Sequence, residues 1–161
     1  MLCVRSTAIG RIAIEGDGGF ITRLHLPSTT ALLDGFAKRE SPVVREAFRQ
    51  LELYLDGNLR EFDLPMRPEG TSFMKRVWQE LLKVPYGTVT TYKELACAVG
   101  SPRACRAVGT ANARNPIAIF IPCHRVINTG GRLGGYGGGL DLKRALLDLE
   151  SRACNNPANG R

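Results

Sequence analysis

Residues 115–131 read NPIAIFIPCHRVINTGG, and the apolar run held there between two prolines constrains the fold more than any other feature. Ile117–Ile121, short, apolar and stopped by Pro122, reads as a buried strand. Cys123, His124 and Arg125 follow at once. A thiol therefore stands at the end of a buried element, at a surface or cleft, beside a titratable ring. It reacts, binds metal or packs, and the rest of the chain must decide which.

A length of 161 residues suits one domain or two small ones, and 43% hydrophobic with 23% charged residues is ordinary for a globular chain. No apolar run approaches the ~18 residues of a membrane span. The N-terminus, with Arg5 inside its apolar stretch, has no signal-peptide pattern, so the expected location is cytoplasmic, with no membrane partner. Five cysteines, an odd number with no C-x-x-C pair, argue against a disulfide framework or zinc ribbon. A metal pairing of Cys3 with His25 lacks ligand spacing, so no metal is expected. Charge is uneven. Residues 1–70 hold 9 Lys/Arg against 10 Asp/Glu, and residues 71–161 hold 13 against 5. A basic second half on a neutral first half fits a polyanion partner, nucleic acid first, or else a solubilising surface.

The expected fold class is α+β: a small α/β N-terminal domain (1–57), a connection (58–70), and a mainly helical C-terminal domain with a helix-turn-helix, winged-helix-like (71–152). A disordered tail (153–161) would follow. In the first part AIGRIAIEG and FITRLHL alternate as strands joined through DGG, a hairpin signal. PSTTALLDGFAKRE reads as irregular. Ser41-Pro42 opens a helix whose Val44, Ala47, Phe48, Leu51 and Leu55 share a buried face, and Gly57 ends it. Nothing there looks catalytic, so its expected role is support. In the second part Thr71 or Ser72 caps a helix with two apolar rows, Phe73-Val77-Leu81 and Met74-Trp78-Leu82.

Thr91 then caps a helix over 92–99, Gly100 ends it, and Ser101-Pro102 starts another that runs to about Arg114, before Asn115-Pro116. Two helices across so short a glycine-containing turn read as a helix-turn-helix. Ala104, Ala107, Val108 and Ala111 should face inward. Arg103, Arg106, Thr110, Ala113 and Arg114 form the other face, positive but mostly short, suited to phosphates and close groove approach. No Asn or Gln on that stripe reads adenine. The alternative is a solvated arginine face.

His124 and Arg125 beside Cys123 could lower its pKa. On an extended segment neighbouring side chains point oppositely, so a bridging water suits the pair better than direct contact. A packed cysteine remains the bland reading. NTGGRLGGYGGGLD holds seven glycines in fourteen residues, letting backbone approach a flat ligand. It lacks the βαβ setting of a dinucleotide loop, so no cofactor is expected. The last helix, LDLKRALLDLE, should bury Leu142, Ala145, Leu146 and Leu149. Glu150 falls near the edge of that face, at the helix C-terminus, against the helix dipole.

Taken together, IPCHRVI, preceded by RAVGTANARNP and followed by GGYGGGLDLKRALLDLE, resembles the O6-alkylguanine-DNA alkyltransferase (methylated-DNA–protein-cysteine methyltransferase) family over about residues 71–150. The first domain resembles that family only in kind. The resemblance implies minor-groove binding to double-stranded DNA, flipping of the alkylated guanine, and transfer of the alkyl group to Cys123, once per molecule, with O4-alkylthymine as a further substrate. It implies that His124 acts as base through a water, that Glu150 orients His124, and that Tyr92 serves the flipped base and crowds the phosphate. Arg106 would fill the gap in the stack. Lys93, Ser101 and Thr129 would contact DNA, beside the Arg103 and Arg114 that the helix face already offers to it, and Asn115 would be a structural hinge. The carbonyls of Cys123 and Val126 would read the guanine amino group, and Tyr136, Gly137 and Gly138 would close the base pocket. Many members carry serine at the position of Gly137. No cofactor is implied, since DNA is the donor. A monomer in solution is expected, with cooperative assembly on DNA left open, as is the preferred alkyl size. Competing readings are a non-repairing sensor of alkylated bases, which the retained Cys123 argues against, and a cysteine hydrolase. The hydrolase needs a histidine touching sulfur, and only His25 would remain.

Overall fold

The computed structural model describes residues 1–33 and 39–156. The N-terminal alternation becomes a three-stranded antiparallel sheet, β1 (Leu2–Thr7), β2 (Gly10–Asp17) and β3 (Phe20–His25), in that spatial order. Ile12, Ala13 and Ile14 on central β2 are fully buried. β1 is not foreseen by the sequence pattern. Its residues are only half-buried, and Arg5 lays its guanidinium over the Phe48 ring at 4.7 Å, so a charged residue covers apolar surface there.

Later chain closes the outer edge of β3. Ile21 N–H donates to Pro65 O at 2.8 Å, Arg67 N–H to Ile21 O at 2.8 Å, and Leu24 N–H to Pro116 O at 2.9 Å. The 58–70 segment therefore lies against the sheet, and the Gln50 side chain brackets the Asp63 backbone with bonds of 3.0 and 2.9 Å. After β3 come a short helix, α1 (Pro27–Thr30), and a 3-10 turn over Ala31–Leu33, ordered where the sequence suggested irregular chain. The remainder of that stretch includes residues 34–38, outside the described residues.

α2 (Pro42–Leu55) begins as its sequence predicts. Ser41 accepts from Val44 N–H, and Pro42 takes the first turn. Its buried face holds Val44, Ala47, Phe48, Leu51 and also Tyr54. Burying each large apolar side chain contributes about 1.5–3 kcal/mol.

α3 (Ser72–Leu81) is capped by Thr71 and buries Val77, Trp78 and Leu81. The Trp78 indole donates to Ala111 O at 2.8 Å. Leu82 lies past the helix end and is 49% exposed, so the second apolar row stops early. Thr91 and Glu94 form a reciprocal capping box before α4 (Tyr92–Ala98). The short β4 (Thr90–Thr91) pairs in parallel with β5 (Val126–Ile127).

α5 (Cys105–Ala113) packs on α3 and α4 but starts later than Ser101-Pro102 suggests. Ser101 accepts from Ala104 N–H in a turn, a role Ser-Pro fills as readily as a helix start. Its inward residues are Val108, Ala111 and Asn112, while Ala107 is exposed. The helix is rolled so that Asn112 points inward, where its amide meets the Cys123 carbonyl.

The run Ile117–Ile121 is buried but is not a strand. It folds back on itself, Ile121 N–H donating to Ile117 O at 3.0 Å and Phe120 N–H to Ala118 O at 2.9 Å. Buried backbone needs partners, and most of those here lie within the turn itself. The turn places β-branched Ile119 at φ 71°, a conformation costing about 1–3 kcal/mol that its burial offsets.

α6 (Leu140–Asn155) buries Lys143, Leu146, Glu150 and Ala153, and leaves Ala145 exposed. The helix runs through Asn155, so residues 153–155 are helical rather than tail, and 157–161 lie outside the described residues. Glu150 consequently sits inside the helix, not at its C-terminus. One apolar cluster runs from Ile12 through Phe48 and Trp78 to Leu146. The architecture is α+β, and no helix among the described residues is long and apolar enough to cross a membrane.

Candidate active site

Asn115 fixes the turn that precedes the cysteine. Its amide donates to Ile121 O at 2.8 Å and its carbonyl accepts from Ile117 N–H at 3.0 Å. Pro122 then leads into a 3-10 turn over Cys123–Arg125. The segment is not extended, so the rule that neighbours point oppositely does not govern Cys123 and His124. Cys123 is 5% exposed, and its carbonyl accepts from Asn112 at 3.3 Å.

Behind the turn, Glu150 is 1% exposed and gathers donors from three segments. His124 Nε2–H donates to Oε2 at 2.6 Å. Arg125 reaches Oε1 through Nε at 2.8 Å and Oε2 through a terminal nitrogen at 3.2 Å. The Tyr54 hydroxyl donates to Oε2 at 2.6 Å, and Gly87 N–H to Oε1 at 3.3 Å. Gly87 holds φ +77°, and a Cβ there would fall 2.4 Å from Cys154 Sγ, so only glycine brings this amide to the carboxylate.

Burial works to raise the Glu150 pKa, but the bonds and charges of His124 and Arg125 prevail and hold it at about 2. Burial pushes His124 below its ordinary value, against the pull of Glu150. His124 is thus a neutral ring with Nε2–H on the carboxylate, and its buried Nδ1 has no hydrogen-bond partner. Burial raises the Cys123 pKa, opposed by the Asn115 side chain and the Lys143 charge. The sulfur therefore rests as a thiol and needs a base.

Cys123 opens on a cleft of about 350 Å³. Tyr92, Gly109 and Asn112 form one wall, Ala118 and Asn115 another, and Gly135, Tyr136 and Gly137 a third. Burial raises the pKa of both Tyr92 and Tyr136, so both phenols keep their protons. Gly134, at φ +70°, lets the chain pass the Tyr92 hydroxyl, where a Cβ would come within 3.3 Å. Gly137 has open space around it, so a side chain fits there. Two of the expected pocket residues stand back from the cleft. Val126 is fully buried and its carbonyl accepts from Lys143 Nζ at 2.5 Å. Gly138 lies behind the wall, where a Cβ would strike Leu142 and Leu26.

Lys93, Arg103, Arg106, Arg114 and Thr129 are exposed and Ser101 is half-buried. Arg103, Arg106 and Arg114 make no ion pair among the described residues. Two contributions come from the part expected only to support: Leu26 lines the cleft and Tyr54 bonds Glu150. Neither has a local signal, since each matters only through contacts distant in sequence. Asn112 is likewise not foreseen, and neither is Lys143. It donates to Val126, Leu133 and Gly135 carbonyls and so ties the glycine-rich loop to α6. Among the described residues no three Cys, His, Asp or Glu side chains gather as a metal site.

A family model described as 6-O-methylguanine DNA methyltransferase, DNA binding domain, matches residues 72–152. The methylated-DNA–protein-cysteine methyltransferase of Methanosarcina barkeri is 61% identical over 106 residues, covering 66% of this chain and 67% of that protein. Its namesake in Mycobacterium tuberculosis is 46% identical over 147 residues, covering 90% and 89%. Among solved structures, the O6-methylguanine methyltransferase of Mycobacterium tuberculosis superposes with a TM-score of 0.82 at 42% identity, covering 98% of this chain and 96% of that one. A Mycobacterium tuberculosis protein solved in complex with DNA reaches 0.86 at the same identity and coverage.

Proposed function

Because the chain belongs to the methylated-DNA–protein-cysteine methyltransferases, enzymes of DNA repair by alkyl transfer, we propose that Cys123 is its alkyl acceptor and O6-alkylguanine in duplex DNA its substrate. The carrying observation is a buried thiol on a 350 Å³ cleft beside a neutral histidine held by a buried carboxylate.

In this reading α5 approaches the minor groove and the damaged base leaves the stack for the cleft. Arg106 fills the gap, while Lys93, Ser101, Arg103, Arg114 and Thr129 hold the DNA backbone. The guanine is read by the Cys123 carbonyl, which keeps a lone pair beyond its bond to Asn112. Tyr136 and Gly137 flank it. The thiol proton passes through a water to His124 Nδ1, and Glu150 stabilises the resulting imidazolium. The sulfur attacks the alkyl carbon, the C–S bond forms as the C–O bond breaks, and the electron pair leaves on the guanine oxygen. Tyr92 donates a proton to the departing base. The thioether has no leaving group that a residue of this site could expel, so each molecule acts once. O4-alkylthymine offers the same electrophilic carbon and is included.

The test is incubation with a duplex containing O6-methylguanine, then mass analysis of the peptide holding Cys123. One methyl group per protein molecule on that peptide is expected, with none on Cys123→Ala, which still binds the duplex. Continued turnover, or a methyl group elsewhere, overturns the proposal.

A further inference from the structure

We propose that Tyr54, on α2 and outside the region matched by the DNA-binding family model, is a positioning residue whose hydroxyl sets the geometry and strength of the Glu150–His124 relay. This rests on the reading of His124 as the base for Cys123.

The geometry is specific. The Tyr54 hydroxyl donates to Glu150 Oε2 at 2.6 Å, the same oxygen that takes His124 Nε2–H at 2.6 Å. Its proton is committed to the carboxylate, while its oxygen stands 3.5 Å from Nε2. The ring cannot swing away. Phe62 packs on it at 5.1 Å and Tyr86 meets it edge-on at 6.1 Å, with Phe62 in turn against Phe120 at 4.7 Å. Tyr54 is fully buried, so no solvent competes for the bond. Burial, followed by the charge of Glu150, raises its pKa well above the ordinary value, and the phenol stays a donor throughout the working range.

Each donor to Oε2 disperses carboxylate charge that would otherwise favour the imidazolium. Tyr54 therefore holds His124 as a weaker base, neutral and ready to accept a proton at neutral pH. The other charged or titratable groups around His124 are Glu150 and Lys143 of α6, Arg125 of its own turn, and the Cys123 thiol; Tyr86 faces Glu150 from the turn before β4, and Tyr136 faces Cys123 and Glu150 from the glycine-rich loop.

The experiment uses the full chain and Tyr54→Phe, which keeps the ring. Two readouts are taken: the pH profile of single-turnover methyl transfer from O6-methylguanine duplex, and NMR titration of the histidine rings. The chain has two histidines, so His25 serves as the internal control. Tyr54→Phe is expected to raise the His124 pKa by roughly half a unit or more and to move the acid limb of the rate profile up by the same amount. A purely structural role would lower thermal stability and leave both unmoved, and that result overturns the proposal. If the parent protein transfers no methyl group, the functional reading fails, and the NMR titration still decides the role of Tyr54. Should Tyr54→Phe not fold, Phe62→Leu loosens the same ring while keeping the hydroxyl. A smaller upward shift of His124 supports the proposal, and an unmoved His124 overturns it.

Discussion

Glu150 organises more of this molecule than Cys123 does. One carboxylate, 1% exposed, takes hydrogen bonds from His124, Arg125, Tyr54 and Gly87, residues that span the chain from α2 to the turn of Cys123. This makes the site acid-sensitive, with a definite sign. His124 and Glu150 both have folded pKa values below their ordinary ones. The unfolded chain therefore binds protons that the folded chain refuses, and acid favours unfolding. Stability is fully present above the ordinary histidine range. It falls first as pH drops through that range, then again from the ordinary carboxylate range down to about 2. In Glu150→Gln the second fall should be shallower. The variant itself should lose about 3–5 kcal/mol at neutral pH, because Arg125 is left buried without its counter-charge. Thermal melting across a pH series checks both, and an unchanged acid slope in the variant would contradict the assignment of that slope to Glu150. Glu150 makes the short hydrogen bond that orients His124, so methyl transfer should fall with stability.

At the scale of elements, the helices were the most legible part of the sequence. Ser41-Pro42, Thr71 and Thr91 mark their starts correctly, because capping chemistry is local. What was illegible was decided at a distance. The Ile117–Ile121 run looks like a strand, but a short apolar run fixes burial rather than backbone form. β1 has too few apolar residues to announce itself. Lys143 carries no local sign that its ammonium will be taken up by the Val126 carbonyl and two carbonyls of the glycine-rich loop. Cys123, His124, Glu150 and Tyr92 are singled out by a motif and a resemblance, whereas Tyr54 lies 96 residues from its partner and has neither. α5 gives the prediction for this scale. Arg106 on the helix, Arg103 in the turn just before it and Arg114 at its C-cap are exposed and would meet phosphates. Arg103→Ala and Arg114→Ala should each reduce the slope of log affinity against log salt by about 0.9. Arg106→Ala should cost transfer rate more than affinity. Filter binding over a salt series with parallel single-turnover assays separates the two, and equal loss of rate and affinity in Arg106→Ala would refute its separate role.

The whole molecule is joined by more than a connecting segment. β3 donates to the Pro116 carbonyl, the 58–70 chain lies along β3, and a single apolar core extends through both halves. A fragment of residues 71–156 should accordingly melt at lower temperature than the full chain, bind a hydrophobic dye, and lose methyl transfer even where it retains affinity for DNA. Transfer at the parent rate by that fragment would show that the first part contributes no chemistry. The phenol that α2 lends to Glu150 also bears on how such a protein could be rebuilt. The segment that carries Cys123 is no portable cassette. Fused to an unrelated partner, it would arrive with a carboxylate short of one proton donor and a Pro116 carbonyl short of its strand. A replacement for residues 1–57 must offer a buried phenol at a helix end and an open sheet edge beside it. Those two demands are geometric, and an engineer could meet them with a scaffold sharing no sequence with the original.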